Sequence, residues 1–219
     1  MERKNRKRLV CGASFLAMFV LWTALVRSVN VRAIGPEGSS VGFATLNELV
    51  HELTGVNWLL YTITDWLGLV PIAVALGFAI LGLVQLIKRK SLWKVDHSIL
   101  ALGGFYIVVM AVYILFEIVV INYRPTLVGG YLEASYPSST TMLVMCVMPT
   151  AAIQLNARIK NTVLKRCAII SIATFTAFMV IGRLFSGVHW ITDIIGGALL
   201  SAGLVMTYHS IGNILTKKC

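Results

Sequence analysis

Six apolar stretches, each long enough to cross a bilayer, limit what this chain can fold into more than any other feature. They fall at about residues 9–26, 69–87, 99–121, 138–155, 168–184 and 190–211, close to the ~20 residues that a ~30 Å hydrocarbon core requires of a helix. Lipid offers no water to unpaired backbone groups, so such runs must close their hydrogen bonds internally as helices. The expected fold is all-α: a polytopic membrane protein with a six-transmembrane-helix bundle, in one domain covering 1–219. Only 13% of the residues are charged, against about 25% in a soluble domain, too few to cover a water-facing surface.

The formal charge of +10 would suit nucleic acid if it formed one patch, but it does not. Arg3, Lys4, Arg6, Lys7 and Arg8 form one cluster, Lys88, Arg89, Lys90 and Lys94 a second, Arg158, Lys160, Lys165 and Arg166 a third, and Lys217 with Lys218 a fourth. These fifteen of the nineteen Lys and Arg lie between apolar runs, on the side of the membrane that the positive-inside rule assigns to the cytoplasm. Both termini are then cytoplasmic, and only Arg27, Arg32, Arg124 and Arg183 remain outside. The basic start followed by an apolar run resembles a signal peptide, but the run is long enough to span and no small-residue cleavage site follows. With no organellar signal, a bacterial plasma membrane is the expected location. Cys11, Cys146, Cys167 and Cys219 show neither disulfide nor zinc spacing and read as small apolar fillers.

Between the first two spans, Phe43, Leu46, Leu49, Val50 and Leu53 recur at helical spacing opposite Glu48, His51 and Glu52. That pattern predicts a short helix lying in the interface, ended by Gly55. Trp58, Tyr61 and Trp66 read as interfacial anchors ahead of the second span, Asp65 as an interfacial cap and His51 as a solvated loop histidine. His97 and His209 fall in or near the cytoplasmic half. Gly196, Gly197, Ala198, Ser201, Ala202 and Gly203 predict close helix packing by the sixth span.

Chemistry gathers at the outer ends of the third to sixth spans. His189 and Asp193 are four apart and share a helix face, so the carboxylate can hold one imidazole nitrogen protonated and leave the other as a nucleophile. Arg124 and Arg183 supply two guanidinium forks for phosphate oxygens. Pro137, Ser138, Ser139 and Thr140 at the start of a span supply hydroxyls and free N–H groups, an anion seat at a helix N-terminus. Together these describe a phosphoryl-transfer pocket. One His-Asp pair is too few ligands for a metal, and no cofactor is implied.

These residues resemble a family. Gly182-Arg183-Leu-Phe-Ser-Gly-Val-His189-Trp-Ile-Thr-Asp193 is similar to the third signature of the type-2 phosphatidic acid phosphatase superfamily, which reads Ser-Arg, five residues, His, three residues, Asp. Asn122-Tyr123-Arg124-Pro125 resembles the end of the first signature, and Pro137-Ser138-Ser139-Thr140 the second, normally Pro-Ser-Gly-His. The resemblance is clearest over 69–212. It implies a metal-independent lipid phosphatase in the membrane, with His189 as nucleophile, Asp193 as its orienter, and Arg124 and Arg183 as phosphate clamps.

Three positions depart from that pattern. Glu117 stands where the first signature has lysine, Thr140 where the second has its proton-donating histidine, and Gly182 where the third has serine. Glu117 reads as an accessory residue, either a partner that positions Arg124 or an acid reaching the outer interface. Threonine cannot act as a general acid near neutral pH. An alkoxide leaving group, with a pKa near the ~15.7 of water, needs such an acid; a phosphate leaving from a diphosphate, with a second pKa of about 6, does not. The expected substrate is therefore a lipid phosphate, and preferentially a polyprenyl diphosphate such as undecaprenyl diphosphate. A catalytically silent relative that binds phospholipid or isoprenoid phosphate, and a lipid phosphotransferase, use the same residues and stay open.

Overall fold

The computed structural model describes residues 2–215, about three quarters of them in eight α-helices. These are α1 (Glu2–Ser28), α2 (Ala44–Thr54), α3 (Trp58–Leu67), α4 (Leu69–Arg89), α5 (His97–Ile118), α6 (Ser139–Arg158), α7 (Thr162–Phe185) and α8 (Ile191–Leu215). Six stretches are long and apolar enough to span: Arg3–Ser28, Trp58–Arg89, His97–Ile118, Ser139–Arg158, Thr162–Phe185 and Ile191–Gly212. The protein is an all-α, six-span membrane bundle, and α2 is the short helix between its first two spans. Lys217, Lys218 and Cys219 lie outside the described residues.

Several ends differ from the sequence expectation for local reasons. The second span begins at Trp58 rather than 69, because Gly68 keeps helical geometry (φ −60°, ψ −19°) and α3 runs into α4. Trp58 and Trp66 stand exposed on that rod, but Tyr61 turns toward Arg183 and is no simple anchor. The fifth span begins at Thr162 rather than 168, since the Asn161 side chain accepts the N–H groups of Val163 and Leu164, an N-cap. The third ends at Ile118 rather than 121, because Val119 leaves helical geometry.

The central helix is α6, which touches α4, α5, α7 and α8. It buries Thr141, Thr150 and Gln154, polar side chains that pure lipid would reject; Thr150 and Gln154 are paired, while Thr141 Oγ1 has no hydrogen-bond partner. Thr150 Oγ1 donates to the carbonyl of Cys146 at 2.8 Å, and Gln154 Nε2 donates to Tyr208 Oη at 2.6 Å and to Ser98 O at 3.0 Å. The rod of α3 and α4 instead presents Leu59, Trp66, Leu76, Ile80, Leu83 and Ile87 outward, an arrangement that is stable only against hydrocarbon. The first and last spans pack closely. A Cβ at Gly12 would come within 2.7 Å of Thr207 Oγ1, and one at Gly203 within 2.7 Å of Leu16 Cγ, so both backbones approach through small residues.

One end of the bundle holds the basic connections. There Asp96 accepts from Gln85 Nε2 at 2.8 Å and from Arg89 Nη1 at 3.0 Å, Arg158 Nη2 donates to Ser98 Oγ at 3.1 Å, and Arg8 meets His209 at 3.4 Å. The connections at 29–57, 119–138 and 186–190 lie at the opposite end, and they carry the candidate site.

Candidate active site

Three connections are tied together before any catalytic group is placed. Leaving α5, the chain forms a narrow two-stranded pinch. Arg124 N–H donates to Glu133 O at 3.1 Å, Ser135 N–H donates to Asn122 O at 2.9 Å, and Tyr123 pairs with Ala134. Tyr136 then locks the pinch into the bundle, with its hydroxyl 2.7 Å from Thr23 Oγ1 on α1 and its ring stacked on Phe19. Gly196 on α8 leaves room for that ring, since a Cβ there would lie 2.6 Å from it. After α7, Gly187 takes a left-handed φ of +68° against Gly55, while Asn57 N–H donates to Ser186 O at 3.0 Å. Trp190 Nε1 donates to Tyr123 O at 2.7 Å. The start of α8 is pinned from α2 by Asn47, whose Nδ2 donates to Thr192 Oγ1 at 3.0 Å, and from α1 by Trp22, whose Nε1 donates to Thr192 O at 3.1 Å.

This scaffold brings His189, Asp193, Arg124 and Arg183 together and buries all four. Arg183 is held from α3 by one polar stripe at i, i+3 and i+4. Tyr61 places its ring 5.1 Å from the guanidinium carbon, Thr64 Oγ1 accepts from Nη1 at 3.4 Å, and Asp65 Oδ1 accepts from Nη2 at 3.2 Å. Arg124 Nε lies 3.0 Å from Glu133 Oε2, an ion-pair contact without hydrogen-bond alignment. Asp193 accepts from Ser135 Oγ at 2.5 Å and from Trp190 N–H at 3.0 Å on Oδ2, and from Asn122 Nδ2 at 3.3 Å on Oδ1. Arg124 Nε and Nη1, Arg183 Nε and His189 Nε2 are all buried without a hydrogen-bond partner. Burial of such atoms costs free energy unless a ligand completes them. Burial first, then the charges of Arg124 and Arg183, hold His189 well below the usual imidazole range, so the ring is neutral and one of its two nitrogens bears a lone pair.

A model of the PAP2 superfamily matches residues 96–216. The chain belongs to the PAP2 superfamily. Its fold is similar to the crystal structure of a transmembrane PAP2-type phosphatidylglycerolphosphate phosphatase from Bacillus subtilis, with 21% identity, a TM-score of 0.61, and coverage of 94% of this chain and 96% of that one. No curated protein matches.

Within this candidate site of a PAP2-superfamily chain, the residues of the sequence motifs divide. Ser138 is committed to capping α6, its Oγ accepting the N–H of Thr141 at 3.4 Å while its own N–H donates to Asp193 O at 3.1 Å. Ser139 and Thr140 are half-buried and border an apolar cavity of about 350 Å³ with Gly68, Ile72, Val109 and Tyr113. Of the two readings open for Glu117, an acid at the outer interface fits: it lies exposed on the last turn of α5, and Arg124 is paired with Glu133 instead. The expected direct bond from His189 to Asp193 is absent: Nδ1 is 4.0 Å from Oδ2, and Ser135 Oγ stands between them, 3.0 Å from Nδ1. Asp65 is no mere cap, and His51 is no free loop residue, since its ring meets Trp190 edge to face at 5.5 Å. Sequence reading passed over Ser135, Glu133 and Thr64, and took Tyr61 only as an interfacial anchor. The stripe at 61, 64 and 65 on an otherwise apolar helix was the available signal for α3; Ser135, two residues ahead of Pro137, offered only its proximity to the motif.

Proposed function

We propose that this protein is a lipid phosphatase that works through a phosphohistidine. The observation that carries the reading is the meeting of one bare imidazole nitrogen with three unpartnered guanidinium nitrogens in a buried site. The nitrogens are donors in the fork geometry that suits phosphate, and the imidazole is uncharged and nucleophilic.

In the proposed cycle the lone pair of His189 Nε2 attacks phosphorus, forming the N–P bond as the P–O bond to the leaving group breaks and that oxygen takes the bonding pair. Arg124 and Arg183 stabilise the charge on the equatorial oxygens. Water then attacks phosphorus, returns the pair to Nε2 and releases phosphate. With threonine at 140, the leaving oxygen receives no proton from that position, so a polyprenyl diphosphate is favoured over a monoester. The head group enters from the extracytoplasmic side, a reading supported by the basic connections at the opposite end of the bundle.

Phosphate release by the purified protein from a panel of lipid mono- and diphosphates, with and without chelator, tests this. Undecaprenyl diphosphate should turn over faster than phosphatidic acid, and Thr140→His should narrow the gap. Faster native hydrolysis of the monoester would overturn the substrate assignment. Radiolabelled phosphate trapped on the native chain but not on His189→Ala separates a phosphatase from a silent relative.

A further inference from the structure

Asp193 cannot hold the His189 ring by itself. Its Oδ2 lies 4.0 Å from Nδ1, beyond the reach of a hydrogen bond. Ser135 closes the gap from a different element, the pinch that follows α5. Its Oγ is 2.5 Å from Asp193 Oδ2 and 3.0 Å from His189 Nδ1, and the side chain is buried.

The two distances set the direction of the chain. An oxygen-oxygen contact of 2.5 Å falls in the range of charge-assisted O–H···O⁻ bonds, and without a proton between them two oxygens so close would repel. With Asp193 an ionised carboxylate, which can only accept, the single hydroxyl proton of Ser135 is directed at it. A hydroxyl has one proton to give, so Ser135 can meet Nδ1 only as an acceptor, and Nδ1 must carry a proton. That leaves Nε2 bare, the nitrogen found without a partner. The remaining partners of the Asp193 carboxylate, Trp190 N–H, Asn122 Nδ2 and, at 3.5 Å, Thr192 Oγ1, fix it without standing between it and the ring.

We infer that Ser135 is a positioning residue, a hydroxyl relay through which Asp193 sets the tautomer and orientation of the His189 ring. The inference rests on the phosphatase reading for its effect on rate, but its effect on the tautomer is independent of any substrate. The pair of signature residues thus acts through a third group contributed by the connection between α5 and α6.

The test uses the full chain in detergent micelles with ¹⁵N-labelled histidine. The sequence has four histidines, and His189→Gln assigns the signal of interest. The native protein should show one tautomer at 189, protonated at Nδ1. Ser135→Ala should mix the two tautomers and lower kcat by about 10- to 100-fold, the usual effect of removing a group that orients another, with KM little changed. Ser135→Thr, which keeps the hydroxyl, should recover both. Unchanged signals from His51, His97 and His209 would report an intact fold in Ser135→Ala. Retention of the single Nδ1–H tautomer in that variant, or an unchanged kcat, overturns the inference. A native protein that releases no phosphate from any lipid would instead remove the phosphatase reading, and the nitrogen signals would still decide the relay.

Discussion

Gly187→Ala should damage both stability and turnover, and the size of the effect follows from the turn that delivers His189. Gly187 has a φ of +68°, and a Cβ there would lie 1.8 Å from Gly55 O and 3.1 Å from Val56 Cα. The left-handed conformation alone costs an L-residue about 1–2 kcal/mol. Carbon and oxygen cannot approach so closely, so the 55–57 segment must move by well over an ångström, adding roughly 1–3 kcal/mol of lost packing. The sum, about 2–5 kcal/mol, corresponds to a fall in melting temperature on the order of 10 °C for a chain of this length. Displacing this turn also shifts the imidazole two residues on, and a misplacement of about 1 Å costs on the order of 100-fold in rate. Gly38→Ala is the control. Gly38 has a φ of +74° but nothing within 4 Å of the added carbon, so only the conformational cost applies and turnover should be unaffected. Thermal unfolding in detergent and phosphate release on the same preparations read both effects. Equal melting losses in the two variants, or native turnover in Gly187→Ala, would refute the argument.

Arg183→Lys should lower kcat/KM by about 100-fold, since it removes the planar fork while keeping the charge; retention of most activity in steady-state assays would count against a clamp. The pH profile carries a sign. Burial and the two arginines hold His189 below its ordinary value of 6.5, so the unfolded chain binds more protons there than the native one. The contribution of His189 to native stability should be complete above pH 6.5 and be lost as the pH drops below it, while the acid limb of kcat/KM should lie well below 6.5. Unfolding midpoints and rates measured across acid pH would check both.

Much of the fold was legible because spans are written in composition: about twenty apolar residues, bounded by basic clusters, leave few alternatives. Ends were less legible, because they depend on individual caps. Asn161 starts α7 ahead of a basic stretch that read as a loop, and Gly68 continues a helix where it read as a boundary. At the candidate site, Arg124, Arg183, His189 and Asp193 were visible from motif spacing, and their meeting follows from topology. Ser135, Glu133 and Asp65 were not, since each acts across 54 or more residues or within a pinch whose register no periodicity announces. The direct His189–Asp193 bond expected from i, i+4 spacing failed for a geometric reason: sharing a helix face brings side chains near, and the last ångström is set by what else occupies the space.

If Arg124 and Arg183 clamp a phosphoryl group as proposed, both are arranged to be stable when empty and stronger when filled. Each guanidinium meets a carboxylate on one side, Asp65 for Arg183 and Glu133 for Arg124, and these acids are 55% and 42% exposed at their side chains. Water therefore screens the acids, and exposed partners of this kind contribute at most about 1 kcal/mol. They offset the burial of the cations without satisfying them, because Arg183 Nε and Arg124 Nε and Nη1 still lack acceptors. Each such orphaned donor costs roughly 1–3 kcal/mol. A phosphoryl group placed against His189 Nε2 would recover that deficit at several atoms at once, with donors already in position. On the proposed phosphatase reading, ordering the clamps with screened carboxylates, rather than closing them with buried ones, keeps the anion site open to a charged head group and leaves the largest gain for the moment when charge gathers on the equatorial oxygens.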